Sequence, residues 1–147
     1  MKRPQLKTWQ WLVLGLALFT AISWWVHRPD ARARQINDAL EEQASPQLQA
    51  YPYRFHVFRT VGGTAVLSTP RNFDVPAFRM LGALYPDMDV KNPNNPAFVA
   101  AQKTLGEMQS EARAIVLAQP GITGVQWELD VPWLRSHSIE VPAAPPR

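Results

Sequence analysis

The chain contains no cysteine. That excludes disulfides, thiolate nucleophiles, Cys-ligated metal and a lipid-modified cysteine anchor. It does not fix the compartment, because an envelope domain need not use disulfides. Histidine is sparse: His27, His56 and His137 stand far apart, with no i, i+4 pair. Such spacing gives no metal site, and no cofactor is expected. Internal repeats are absent, and so are long runs of one charge. From Ser45 onward nine Lys/Arg face eight Asp/Glu, so this part is nearly neutral. Without a basic stripe on the folded part, nucleic acid is not an expected partner. The net charge of +3 gathers near the amino terminus, where it suits anionic lipid headgroups.

One stretch lacks charge altogether. Trp9–Val26 holds Gln10, Thr20 and Ser23 as its polar side chains and is otherwise apolar or aromatic. As a helix it rises about 27 Å, close to a bilayer core of about 30 Å. Four of the six tryptophans bound it, Trp9 and Trp11 at one end and Trp24 and Trp25 at the other. Indole rings settle at headgroup level. The pattern predicts a transmembrane signal anchor at 9–26, following a cytoplasmic basic tail at 1–8. Trp9, Trp11, Trp24, Trp25, Lys7 and Arg28 are its expected interface residues, and the lipid bilayer its partner. Lys2, Arg3 and Lys7 nearly balance Arg28, Arg32 and Arg34. The short basic tail favours a cytoplasmic amino terminus and a periplasmic carboxy-terminal domain at a bacterial inner membrane. Ala31-Arg32-Ala33 leaves signal cleavage, and a secreted domain, open as an alternative.

Beyond the anchor, residues 27–52 read as a juxtamembrane helix and linker. Ile36, Ala39, Leu40 and Gln43 fall at helical spacing, and Ser45-Pro46 through Tyr51-Pro52 is proline-marked. The domain proper is expected at 53–137. Tyr53, Phe55 and Val57 alternate with polar neighbours up to Val61, and Thr64–Thr69 continues after Gly62-Gly63. Two such runs around Gly-Gly predict a hairpin with a tight primed turn. Asp74 and Pro76 open a short helix with Phe78 and Leu81 on its apolar face. Asn95-Pro96 opens a long one. Its apolar stripe runs through Phe98, Ala101, Leu105, Met108, Ala112, Ile115 and Val116, and Pro120-Gly121 stops it. Ile122–Val131 alternates as a third strand, with Gln126, Glu128 and Asp130 on its wet face. A Pro/Ala-rich disordered tail is expected over 138–147. The order β-β-α-α-β predicts a two-layer α+β domain with a three-stranded sheet, partly ferredoxin-like.

Candidate chemistry is thin. Asp87-Met88-Asp89 is the one close carboxylate pair, but Lys91 and Asn92 stand where a calcium loop needs further ligands. A solvated turn is expected there. Ser68, His56 and Asp130 supply the residue types of a nucleophilic triad. No nucleophile elbow surrounds Ser68, and residue types alone are weak support. Gly62-Gly63 is too short to cradle phosphate. No catalytic residue is assigned.

Two groups of motifs carry a resemblance. Thr64-Ala65-Val66-Leu67-Ser68-Thr69-Pro70-Arg71 is followed by Val75-Pro76 and by Leu81-Gly82-x-x-Tyr85-Pro86. Later come Ala118-Gln119-Pro120-Gly121-Ile122 and Val125-x-Trp127-Glu128-Leu129-Asp130. Together they resemble a family of small single-span proteobacterial envelope proteins of unassigned function, often labelled glutamate–ammonia-ligase adenylyltransferase. That activity is not carried over. A nucleotidyltransferase needs a Gly-Ser turn ahead of metal-binding carboxylates, and Gly82-Ala83 before Asp87 and Asp89 does not supply one. The resemblance implies an envelope protein. The expected function is a membrane-anchored periplasmic accessory or interaction module without catalytic activity, with another envelope protein as partner. The alternative is a small-ligand-binding or enzymatic envelope domain, which a deep pocket lined by Arg71, Arg79 or His56 would favour.

Overall fold

A computed structural model describes residues 8–26 and 30–142. Lys7 and Arg28, with the rest of the basic tail and residues 143–147, lie outside these. Thr8–Val26 forms helix α1. Yet among the described residues no helix is long and apolar enough to cross a membrane, so the transmembrane assignment of 9–26 is corrected. The physical reason lies in composition. Gln10, Thr20, Ser23 and four indoles dilute the aliphatic content of a helix whose 19 residues already sit at the short end for a span.

Asp30 then caps helix α2, Ala31–Gln43, its carboxylate accepting the Ala33 amide at 2.6 Å. The helix is part of the domain, not a separate juxtamembrane element. Ala33, Ile36 and Leu40 are buried in the domain core. A short helix α3, Pro46–Ala50, occupies the proline-marked stretch, capped by Ser45. Glu111 fastens this corner by accepting from both the Ser45 amide and hydroxyl, at 2.7 and 2.9 Å.

The expected first strand is shorter than its alternation suggested. Tyr53, Phe55 and Val57 are all buried, but only Val57–Val61 is strand β1. The preceding arm is extended and runs into the core, and a register irregularity between Val57 and Arg59 follows it. Strand β2, Thr64–Thr69, pairs antiparallel with β1, Val61 opposite Thr64. At the turn Gly62 takes φ +59°, and Gly63 does not enter the left-handed region. That is the pattern of a turn with glycine required at its first central position. Gly63 is needed for a different reason: a Cβ there would sit 2.7 Å from Thr123 Oγ1.

Helix α4, Ala77–Leu84, starts later than expected and has Pro76, not Asp74, at its cap. Asn72 has captured the Asp74 amide at 2.8 Å in a side-chain turn, so Asp74 is spent locally. Met80 and Leu81 face the core, and Phe78 faces out. Helix α5, Pro96–Leu117, follows its sequence signals closely, with Asn95 capping the Ala97 amide. Phe98, Ala101, Leu105, Met108, Ala112 and Val116 are its buried stripe. Strand β3, Gly124–Leu129, pairs parallel with β2, giving the order β1-β2-β3 in a mixed sheet. Helix α6, Val131–Ser136, closes one end with Leu134 fully buried. Ile139, inside the tail expected to be disordered, is also buried. The result is an α+β domain in which α2 and α5 pack on the three-stranded sheet.

Candidate functional site

The central strand is covered on both faces, and this sets the polar chemistry of the domain. Ser68 lies on β2 and is fully buried. Its amide donates to His56 O at 2.8 Å, and its Oγ accepts the His56 amide at 2.9 Å. The imidazole Nδ1 stands 3.3 Å from the same Oγ and 3.2 Å from Arg54 O. Its Nε2 is 4.0 Å from Asp130 Oδ2. The structure therefore brings together Ser68, His56 and Asp130, three residues distant in sequence.

A fourth member was not foreseen. The Tyr53 hydroxyl donates to Asp130 Oδ2 at 2.9 Å. Asp130 is buried, not on the wet face of β3, and its Oδ1 accepts the Trp133 amide at 3.2 Å to cap α6. Burial pushes the Tyr53 phenol well above its ordinary pKa. A hydrogen bond with Ser68 opposes this, and the charge and hydrogen bond of Asp130 add to it. Tyr53 thus stays a donor across the physiological range.

This geometry does not suit acyl transfer. A nucleophilic serine must be reachable by a substrate carbonyl and face donors for the developing oxyanion. Ser68 Oγ has no exposed surface and already holds the His56 amide. The group is a buried polar knot joining the arm before β1, β2 and α6. Satisfied networks of this kind fix one packing and penalise any loss of a member.

Two clefts flank the knot and the sheet. The first, about 570 Å³, is lined by Asn37, Leu40, Leu48, Tyr53, Phe55 and His56. Arg54 and Glu41, 3.5 Å apart and strongly exposed, stand at its rim. The second, about 530 Å³, lies between β3 and α5 and is lined by Thr69, Arg71, Gln109, Arg113, Trp127 and Leu129 among others. Here Gln109 Nε2 donates to Thr69 Oγ1 at 3.0 Å and ties α5 to β2. Arg79 is exposed on α4.

The sheet edges differ. Asn37 covers β1: Val57 N donates to its Oδ1 at 2.6 Å, and its Nδ2 donates to Val57 O at 3.0 Å. Further along, Asp30 Oδ2 accepts both the amide and hydroxyl of Thr60. Among the described residues strand β3 has no such cover. Asp130 N donates to Thr69 O, so by alternation the amides and carbonyls of Val125, Trp127 and Leu129 face outward. That one edge of the sheet is closed is barely legible in the sequence. The signal was faint: Asn37, a polar residue beside the buried Ile36.

Of the expected interface residues, Trp9, Trp11 and Trp24 are 62%, 60% and 63% exposed. The Trp25 side chain, Lys7 and Arg28 are outside the described residues. Asp89 Oδ1 accepts the Lys91 amide at 3.1 Å, closing a local turn. Among the described residues no three His, Cys, Asp or Glu side chains gather as metal ligands. No family model, no curated protein and no solved structure matches this chain.

Proposed function

We propose that the chain is a non-catalytic accessory module of the bacterial envelope. In this reading α1 takes a lipid bilayer as its apolar surroundings. The α+β domain then presents itself to another envelope protein, on the periplasmic side of the inner membrane.

One observation carries the lipid assignment. The described large apolar side chains of α1, among them Leu12, Leu14, Leu16, Leu18, Phe19 and Ile22, are all more than half exposed. Each is worth about 1.5–3 kcal/mol when taken out of water. So much exposed apolar surface calls for an apolar surface to lie against. Lipid suits it better than a protein groove, because indoles stand at both ends and Lys/Arg cluster beside them. The module reading is supported by the closed Ser68, the near-neutral domain and the uncovered edge of β3. The motif resemblance to small envelope proteins points the same way.

In-cell photo-crosslinking from Phe73 and Gln126, both exposed, tests the partner. A discrete adduct with an envelope protein is expected from at least one position. No adduct from either would overturn the module reading. A periplasm-active reporter fused after Ala50 is expected to be active, and a silent one would overturn the side assigned.

A further inference from the structure

Strand β3 ends the sheet, and among the described residues nothing pairs with its outward backbone groups. Its side chains at Trp127 and Leu129 line the cleft shared with α5. Gly106, Gln109, Ser110 and Arg113, at i, i+3, i+4 and i+7, form the facing stripe of that helix. None of the lining residues is acidic, and two are arginines. Neither Arg71 nor Arg113 has a carboxylate within ion-pair distance among the described residues, although Arg54, Arg59 and Lys103 all do. The acids nearest in sequence are engaged elsewhere: Glu111, beside Arg113, accepts from Ser45, and Asp74, beside Arg71, accepts from the Asn72 side chain at 3.4 Å. Trp127 is 36% exposed.

We infer that this edge binds an extended, acidic peptide segment of a protein partner by strand addition. The inference rests on the interaction-module reading and names its surface and ligand. Main-chain hydrogen bonds to Val125, Trp127 and Leu129 hold the segment. Alternate side chains of an extended strand fall on one face, so every second residue enters the cleft. There carboxylates meet Arg71 and Arg113, whose guanidinium groups suit bidentate pairing. The edge of β1 is not a rival, because Asn37 and Asp30 occupy it.

The probe is acetyl-Thr-Val-Glu-Val-Glu-Val-Thr-amide, with a control carrying Gln for each Glu. The full chain is used in neutral maltoside micelles. Amide exchange at Val125, Trp127 and Leu129 is expected to slow at least tenfold with the Glu peptide. The Gln peptide should bind at least fivefold more weakly. Gly106→Leu fills the cleft from a position where a Cβ meets nothing within 4 Å. It also improves a helix interior, so it should abolish binding while the fold survives. Unchanged exchange overturns the inference, as does equal affinity for both peptides. Concentration-dependent protection without peptide also overturns it, since a second copy would then hold the edge. An in-cell adduct at Phe73 with an unprotected β3 would reject strand addition and leave the module reading standing.

Discussion

Asn37 makes a two-point hydrogen bond to the backbone of Val57, accepting its amide at 2.6 Å and donating to its carbonyl at 3.0 Å. A side-chain amide thus stands where a fourth strand would pair. Open strand edges invite pairing with other chains. Closing one directs any such pairing to the other, at β3.

Asn37→Ala leaves both Val57 groups without partners in a part-buried place. The expected loss is about 2 kcal/mol, read as a lower urea midpoint at unchanged slope. Asn37→Asp keeps the acceptor and loses the donor, so it should fall between the two.

The Tyr53–Asp130 bond gives a graded pair. Tyr53→Phe removes one donor from a buried carboxylate and should cost about 1–3 kcal/mol. Asp130→Ala also removes the cap of α6, so it should cost more, about 3 kcal/mol. Both are measured by chemical unfolding.

Tyr51 offers the opposite sign. Its hydroxyl is buried and has no hydrogen-bond partner among the described residues, and burial, with Tyr85 adding, holds its pKa well above the ordinary value. Tyr51→Phe removes the unsatisfied group and keeps the ring, which stacks 6.2 Å from Phe55. A gain of about 1 kcal/mol is expected, as a raised unfolding midpoint.

Acid stability should depend on Asp30 and Glu128. Burial raises Asp30, but the Thr60 and Ala33 hydrogen bonds outweigh it and hold the carboxyl below 3.8. The hydrogen bond from Arg59 holds Glu128 below 4.5, against a smaller effect of burial. Both therefore bind protons less readily folded than unfolded. Their contribution is complete above the ordinary carboxylate range and fades as pH falls through the lowered values. Asp30→Asn should flatten the loss of stability below about pH 4 in a pH series of unfolding curves.

Legibility followed locality. Helix α5 was readable because Asn95, Pro96 and a six-residue buried stripe all agree within one segment. The hairpin was readable from Gly62-Gly63. Asp74 misled because Asn72 builds a side-chain turn around it, accepting the Asp74 and Val75 amides and donating to the Asp74 carboxylate, so the helix starts only after Pro76. Asp130 misled because its partner Tyr53 is far along the chain, and alternation alone put it in water. The triad residue types were visible, but the burial of Ser68 was not, since β2 owes its cover to elements on both sides. The α1 segment formed where expected, while its apolarity fell short of a span.

The bilayer as the environment of α1 is tested most directly by indole quenching with brominated lipids. Trp127 and Trp133 are replaced by Phe, so only Trp9, Trp11, Trp24 and Trp25 emit. The full chain is reconstituted in vesicles whose acyl chains carry bromine. The account predicts co-flotation with the vesicles and strong quenching relative to unbrominated lipid. Fluorescence unchanged by bromine, with the protein left behind in the aqueous fraction, would contradict it.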